Sequence, residues 1–135
     1  MVYLDTNVFV YAGIEQDLAR KDKALRLIRS LTEKSELRLS VLVLQELVFT
    51  MAKLRMDAEL IKGDFTWYSK YIAWEISQED FISAVELGLE LDYLRNINDL
   101  VHLKVAGRYC SKLITFDQDF KKMQGHTHIE IEILS

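Results

Sequence analysis

Proline is absent from the 135 residues, glycine occurs only five times and cysteine once. Without proline- or glycine-rich stretches the composition excludes long linkers and low-complexity tails, and the length suits one domain spanning residues 1–135. A lone thiol, Cys110, excludes an internal disulfide and fits a reducing compartment. Its neighbours Ala106, Tyr109 and Leu113 place it in a core. The longest uncharged apolar run, residues 39–44, is far shorter than a membrane span. Residues 2–5 lack the basic and apolar segments of a secretion signal, so a cytoplasmic location is expected. Basic charge is also scarce. A net charge of −4 excludes a broad cationic coat for nucleic acid. It leaves room for an enzyme that meets a phosphodiester through bound metal ions.

What is present is apolar patterning. Half the residues are apolar, enough for a sizeable core. Val2-Tyr3-Leu4 reads as a buried strand that stops at Asp5, followed by a short helix over 8–12 that Gly13 ends. Leu18, Ala24, Leu25, Ile28 and Leu31 recur at helical spacing, predicting an amphipathic helix over 17–34. A second strand is expected at 37–39, then a helix capped by Ser40 and running to Leu54. Residues 57–71 read as a helix interrupted at Gly63, and 73–76 as a strand. Ser77 opens a helix to Leu94, and another runs from Asp99 to Tyr109. Leu113-Ile114-Thr115 is a strand stopping just before Asp117, with a helical turn at 120–123. Ile129, Ile131 and Ile133 alternate with glutamates in a final strand with one wet face. Strands alternating with helices predict an α/β fold: a central, mostly parallel β-sheet flanked by helices on both faces.

In such sheets ligands bind beyond the carboxyl ends of the strands, where Asp5 and Asp117 fall. Each taken singly is as well explained as a turn or cap residue. Asp99 at a helix start suits the helix dipole, and Glu46, Thr50 and Lys53 at i, i+4 and i+7 suit a solvated stripe. Jointly they imply more. Four carboxylates meeting at one sheet edge would repel unless protonated or neutralised, and oxygen-only ligands select Mg²⁺ or Mn²⁺.

Four segments in order resemble the motifs of PIN-domain nucleases. They are Leu4-Asp5-Thr6-Asn7-Val8, Ser40-Val41-Leu42-Val43-Leu44-Gln45-Glu46-Leu47-Val48, Asn98-Asp99-Leu100-Val101-His102-Leu103 through Ala106, and Leu113-Ile114-Thr115-Phe116-Asp117-Gln118-Asp119-Phe120. The resemblance spans residues 4–120. It implies a single PIN-like domain, an Mg²⁺ or Mn²⁺ site and hydrolysis of single-stranded RNA. It makes Asp5, Glu46, Asp99 and Asp117 the metal-ligating and catalytic carboxylates, with Thr6 and Thr115 orienting them or the attacking water. Asn7 would assist or cap the first helix, and Asp119 would contact a second metal or, as favoured here, stay at the surface. The nearest kind is the VapC-like toxin, which implies an antitoxin partner and a homodimer.

Other features have competing readings. His102 is three residues after Asp99 and reads best as a satisfied helix histidine, with contact to RNA as the rival. His126 and His128 read as a wet strand edge rather than a metal pair. The aromatic cluster Phe65, Trp67, Tyr68, Tyr71 and Trp74 reads as core, or as a partner surface. Lys53, Arg55, Lys104 and Arg108 are the candidate RNA phosphate contacts, being on the helices of Glu46 and Asp99. Rival functions are a PIN nuclease of ribosomal or transfer RNA maturation without an antitoxin, and a scaffold with a vestigial acidic pocket. A dehalogenase-like phosphatase would want an aspartate where Asn7 stands.

Overall fold

Four short strands form the sheet in a computed structural model that describes residues 1–72 and 74–135. They are β1 (Val2–Leu4), β2 (Leu37–Arg38), β3 (Lys112–Thr115) and β4 (Glu130–Ile133), in the order β2-β1-β3-β4 and all parallel. Six α-helices connect them among the described residues: α1 (Thr6–Gly13), α2 (Leu18–Glu33), α3 (Val41–Lys53), α4 (Ala58–Ser69), α5 (Gln78–Leu91) and α6 (Ile97–Tyr109). Successive residues of a strand face opposite sides, and Leu113, Ile114 and Thr115 are all buried. Both faces of the sheet are therefore covered, as parallel sheets require.

The connections decide where a ligand can enter. From β1 the chain passes through α1 and α2 to β2 on one side, and from β3 it passes to β4 on the other. The adjacent strands β1 and β3 thus form a topological switch point, and their carboxyl ends flank a crevice. Register places Leu4 opposite Ile114, and the Asp5 N–H donates to the Ile114 carbonyl at 3.0 Å. Asp5 is held one residue beyond the sheet.

Several boundaries differ from the sequence pattern for physical reasons. Helix α1 starts at Thr6 because the Asp5 side chain caps it, accepting the Thr6 N–H. Helix α4 runs through Gly63 without interruption. Helix α5 ends at Leu91, where Asp92 turns left-handed (φ 53°), and a 3-10 turn, Leu94–Asn96, leads into α6 two residues before Asp99. Gly88 makes that junction possible. A Cβ there would stand 2.7 Å from a Leu94 methyl and 2.8 Å from one of the buried Leu100. The turn expected at 120–123 is a longer 3-10 segment, Gln118–His126. Of the strand expected at 73–76, Ala73 lies outside the described residues, and 74–76 have no strand geometry; the nearby pairing is a single parallel bridge between Leu39 and Ile72. Ser40 occupies the N-cap position of α3 but makes no capping bond. No helix among the described residues is long and apolar enough to cross a membrane.

Candidate active site

Asp5, Glu46, Asp99 and Asp117, together with Thr6 and Asn7, line one open cleft at the carboxyl ends of β1 and β3. Each arrives from a different element. Asp5 is the N-cap of α1, Glu46 is in the second turn of α3, Asp99 in the first turn of α6, and Asp117 caps the 3-10 segment after β3.

Hydrogen bonds fix two of the carboxylates firmly. Asp5 accepts the Thr6 N–H at 2.7 Å, the Thr115 hydroxyl at 2.7 Å and the Asn7 amide at 3.3 Å. Asn7 also donates to Thr115 Oγ1 at 3.1 Å and accepts the Phe116 N–H at 3.1 Å, so it ties the ends of β1 and β3 together and leaves helix capping to Asp5. Glu46 Oε1 accepts the Thr6 hydroxyl at 2.7 Å, and Oε2 accepts the Asn98 amide at 3.2 Å. His102 Nε2 donates to Glu46 Oε1 at 2.5 Å and stands 3.8 Å from Asp5. Thr6 and Thr115 thus each present a hydroxyl to a carboxylate. Glu46 is drawn into the cleft by three donors from two other elements, α1 and α6, rather than left on a solvated stripe.

The electrostatics follow from this crowding. Burial raises the Asp5 carboxyl, though His102 and its hydrogen bonds oppose the rise. Burial also works to raise Glu46, but the bond and charge of His102, with Thr6 and Asn98, bring it below the ordinary value. Asp99 has no such support. Burial and the charges of Asp5, Asp117 and Glu46 push it up to about 7, against the opposing pull of His102. The same field reaches Tyr93, where burial and then Asp99 raise the phenol to about 12.

A hard cation fits this donor set by chemistry. All four groups offer oxygen, and the carboxyl with the fewest donors carries the repulsion that a cation would relieve. The fit is open rather than caged: no three His, Cys, Asp or Glu side chains among the described residues are close enough to form a ready-made metal group.

The remaining predicted residues separate. Asp119 is exposed, and its N–H donates to Asp117 at 2.9 Å. Lys53 closes α3 and Arg55 follows it in a left-handed turn. Lys104 and Arg108 line a different pocket with His126 and His128. Arg108 is nine residues after Asp99 on α6, roughly 14 Å along the axis. It pairs there with the buried Asp80 at 2.8 Å. The aromatic cluster divides. Phe65 and Trp67 are exposed, Tyr68 packs edge-on against Phe9, and Trp74 stacks on Tyr109 with ring centroids 4.3 Å apart.

Tyr3, Asn98 and the bond of His102 to Glu46 escaped the sequence reading. One signal was available. A tyrosine inside a buried strand needs a partner for its hydroxyl, and Tyr3 finds His102 Nδ1 at 2.7 Å.

A parallel sheet with four carboxylates gathered at its switch point defines an α/β domain with an acidic crevice. The chain belongs to the PIN domain family, whose model matches residues 2–125. No curated protein matches it in sequence. Among solved structures, the chain is similar to a chain of VapBC2 from Rickettsia felis bound to a DNA fragment from their promoter. The TM-score is 0.69 at 21% identity over 100% of both chains. It is also similar to a chain of VapBC-5 from Mycobacterium tuberculosis, a member of the VapBC family of toxin-antitoxin systems. There the TM-score is 0.61 at 19% identity, over 98% of this chain and 97% of that one.

Proposed function

We propose that this protein is a divalent-metal-dependent endoribonuclease, acting as the toxin of a toxin–antitoxin pair. The observation that carries the reading is the convergence of Asp5, Glu46, Asp99 and Asp117 on one cleft at the sheet's switch point. Asp5, Asp99 and Asp117, with Glu46 beside them, would hold Mg²⁺ or Mn²⁺. Once bound, the ion supplies Lewis acidity toward a phosphodiester oxygen and lowers the pKa of a coordinated water.

The chain's own residues do the positioning. Thr115 and the Thr6 N–H hold Asp5 in one rotamer, so its free lone pairs keep one direction. Asp99, near 7 without a cation, is the carboxyl whose proton a cation displaces. Lys53 and Arg55 are the proposed cations nearest in sequence to the Glu46 turn; Lys104 and Arg108 would meet only RNA that runs on along α6. The toxin assignment rests on the likeness of this fold to two VapBC chains. An antitoxin and a second copy of the chain are the proposed partners, and exposed Phe65 and Trp67 on α4 the proposed contact.

The test is cleavage of total cellular RNA by purified protein, with end mapping. Cutting in Mn²⁺ that stops in EDTA and in Asp99→Asn supports the reading. Cutting that survives either change overturns it.

A further inference from the structure

Glu46 is only partly buried on α3, yet its carboxylate is held by donors from α1 and α6. One of those donors, His102, is fully buried, and both ring nitrogens are committed. Nε2 meets Glu46 Oε1 and Nδ1 meets the Tyr3 hydroxyl at 2.7 Å. The Tyr3 hydroxyl continues to Ser40 Oγ at 2.8 Å. Tyr3 and Ser40 are each 1% exposed.

We propose that Ser40, Tyr3 and His102 form a buried relay whose purpose is to position the Glu46 carboxylate for metal-dependent cleavage; the inference rests on the function proposed above.

Three features argue for a purpose beyond packing. First, the relay has one consistent direction at its working end. An ionised carboxylate can only accept, so Nε2 carries a hydrogen toward Glu46. In the neutral ring Nδ1 accepts from Tyr3, which in turn accepts from Ser40; in the charged ring these two bonds reverse and Nε2 still donates. Second, α3 gives something up. Ser40 stands at the N-cap position, where a capping serine is worth about 1 kcal/mol, but its hydroxyl goes to Tyr3 instead. Third, leucine and phenylalanine would fill the same core without any polar group to satisfy, whereas a buried polar network helps only when every member is paired. Here every member is.

The consequence for Glu46 is selective. Oε1 takes both Thr6 and His102, while Oε2 takes only Asn98 at 3.2 Å. Oε2 is therefore the oxygen with spare acceptor capacity for a cation or a water. A glutamate fixed at Oε1 has also lost the rotamer freedom that a free side chain would give up on engaging a ligand. Tyr3 and His102 are positioning residues in this scheme, because they act through Glu46.

Kinetics on a labelled RNA that the wild-type protein cuts, with folding checked by Tm, provide the test. Tyr3→Phe and His102→Leu are expected to lower kcat by about tenfold or more while KM changes less than about twofold. His102→Gln, whose amide can donate to Glu46, is expected to regain most of the loss. Folded variants with wild-type kcat overturn the proposal, as does a His102→Leu defect that His102→Gln does not relieve. A second readout needs no activity. The imidazole ¹⁵N spectrum of the metal-free wild-type protein should show a proton on Nε2 of His102, and its signal should shift in Glu46→Gln. A ring protonated on Nδ1 alone overturns the relay, even if the substituted proteins fail to fold. Absence of RNA cleavage by the wild-type protein, with the Nε2 proton present, overturns the nuclease reading and with it the relay's catalytic purpose, while the bonded chain from Ser40 to Glu46 stands.

Discussion

Thr115 Oγ1 donates to Asp5 Oδ2 at 2.7 Å and accepts the Asp117 N–H at 2.9 Å, so one buried hydroxyl couples the Asp5 carboxylate after β1 to the Asp117 backbone after β3. The Asn7 amide occupies its remaining acceptor position at 3.1 Å. Thr115 belongs to the sheet, and through this saturated hydroxyl the register of β1 on β3 sets the spacing of the cleft floor.

Thr115→Val keeps the shape and removes every one of those bonds. The unpaired Asp117 N–H and the weakened Asp5 carboxylate should cost about 1–3 kcal/mol. Urea unfolding with an unchanged m-value measures this. A loss below about 0.5 kcal/mol would show that the hydroxyl does not hold the two strands' ends together.

Asp99→Asn should stabilise the metal-free protein. The carboxyl is pushed from 3.8 to about 7 by burial first and then by Asp5, Asp117 and Glu46. At pH 8 its ionised form is the penalised one, so an isosteric neutral amide should gain about 1–3 kcal/mol. The Tm should rise while the response to millimolar Mn²⁺ disappears. A lower Tm at pH 8 would sink this account of the cleft's repulsion.

Proton and cation should compete at Asp99. Its folded pKa is raised, so between about 4 and 7 the folded metal-free protein holds a proton that the unfolded chain has released. Stability from this group therefore falls as pH rises through that window, and a bound cation reverses the trend. Apparent Mn²⁺ affinity should weaken about tenfold per pH unit below 7 where one proton is displaced. Titration calorimetry at pH 6 and 8 checks this; equal affinities would exclude Asp99 from the ligands.

The two pairs of cations should behave differently. Replacing Lys53 and Arg55 with alanine should weaken RNA binding and reduce the salt slope by about one to two. Arg108→Ala leaves the buried Asp80 without its 2.8 Å partner, so it should lower the Tm more than it weakens RNA binding. Filter binding across a salt series, beside thermal melts, separates the pairs. A salt slope that drops only in Arg108→Ala would reverse the assignment.

The local part of this protein was legible in residue order. Val2-Tyr3-Leu4 before Asp5, and Leu113-Ile114-Thr115 before Asp117, are apolar runs ended by a capping acid, and both became strands of the switch point. Ile129, Ile131 and Ile133 likewise marked the last strand, since a period of two is a property of neighbours. Spacing along α3 could not place Glu46, because Glu46, Thr50 and Lys53 suit a solvated face equally well. Its three side-chain donors are 40, 52 and 56 residues away, and only the packing of α1 and α6 against α3 brings them there. Ser40 shows the same division: residue order places it at the N-cap of α3, but a tyrosine 37 residues earlier takes its hydroxyl. Short-range pattern thus determined which acids stand at strand ends. Tertiary packing decided which of the four is supported by donors, which is left to repel the others, and how Asp5 and Asp117 are joined through a single buried hydroxyl.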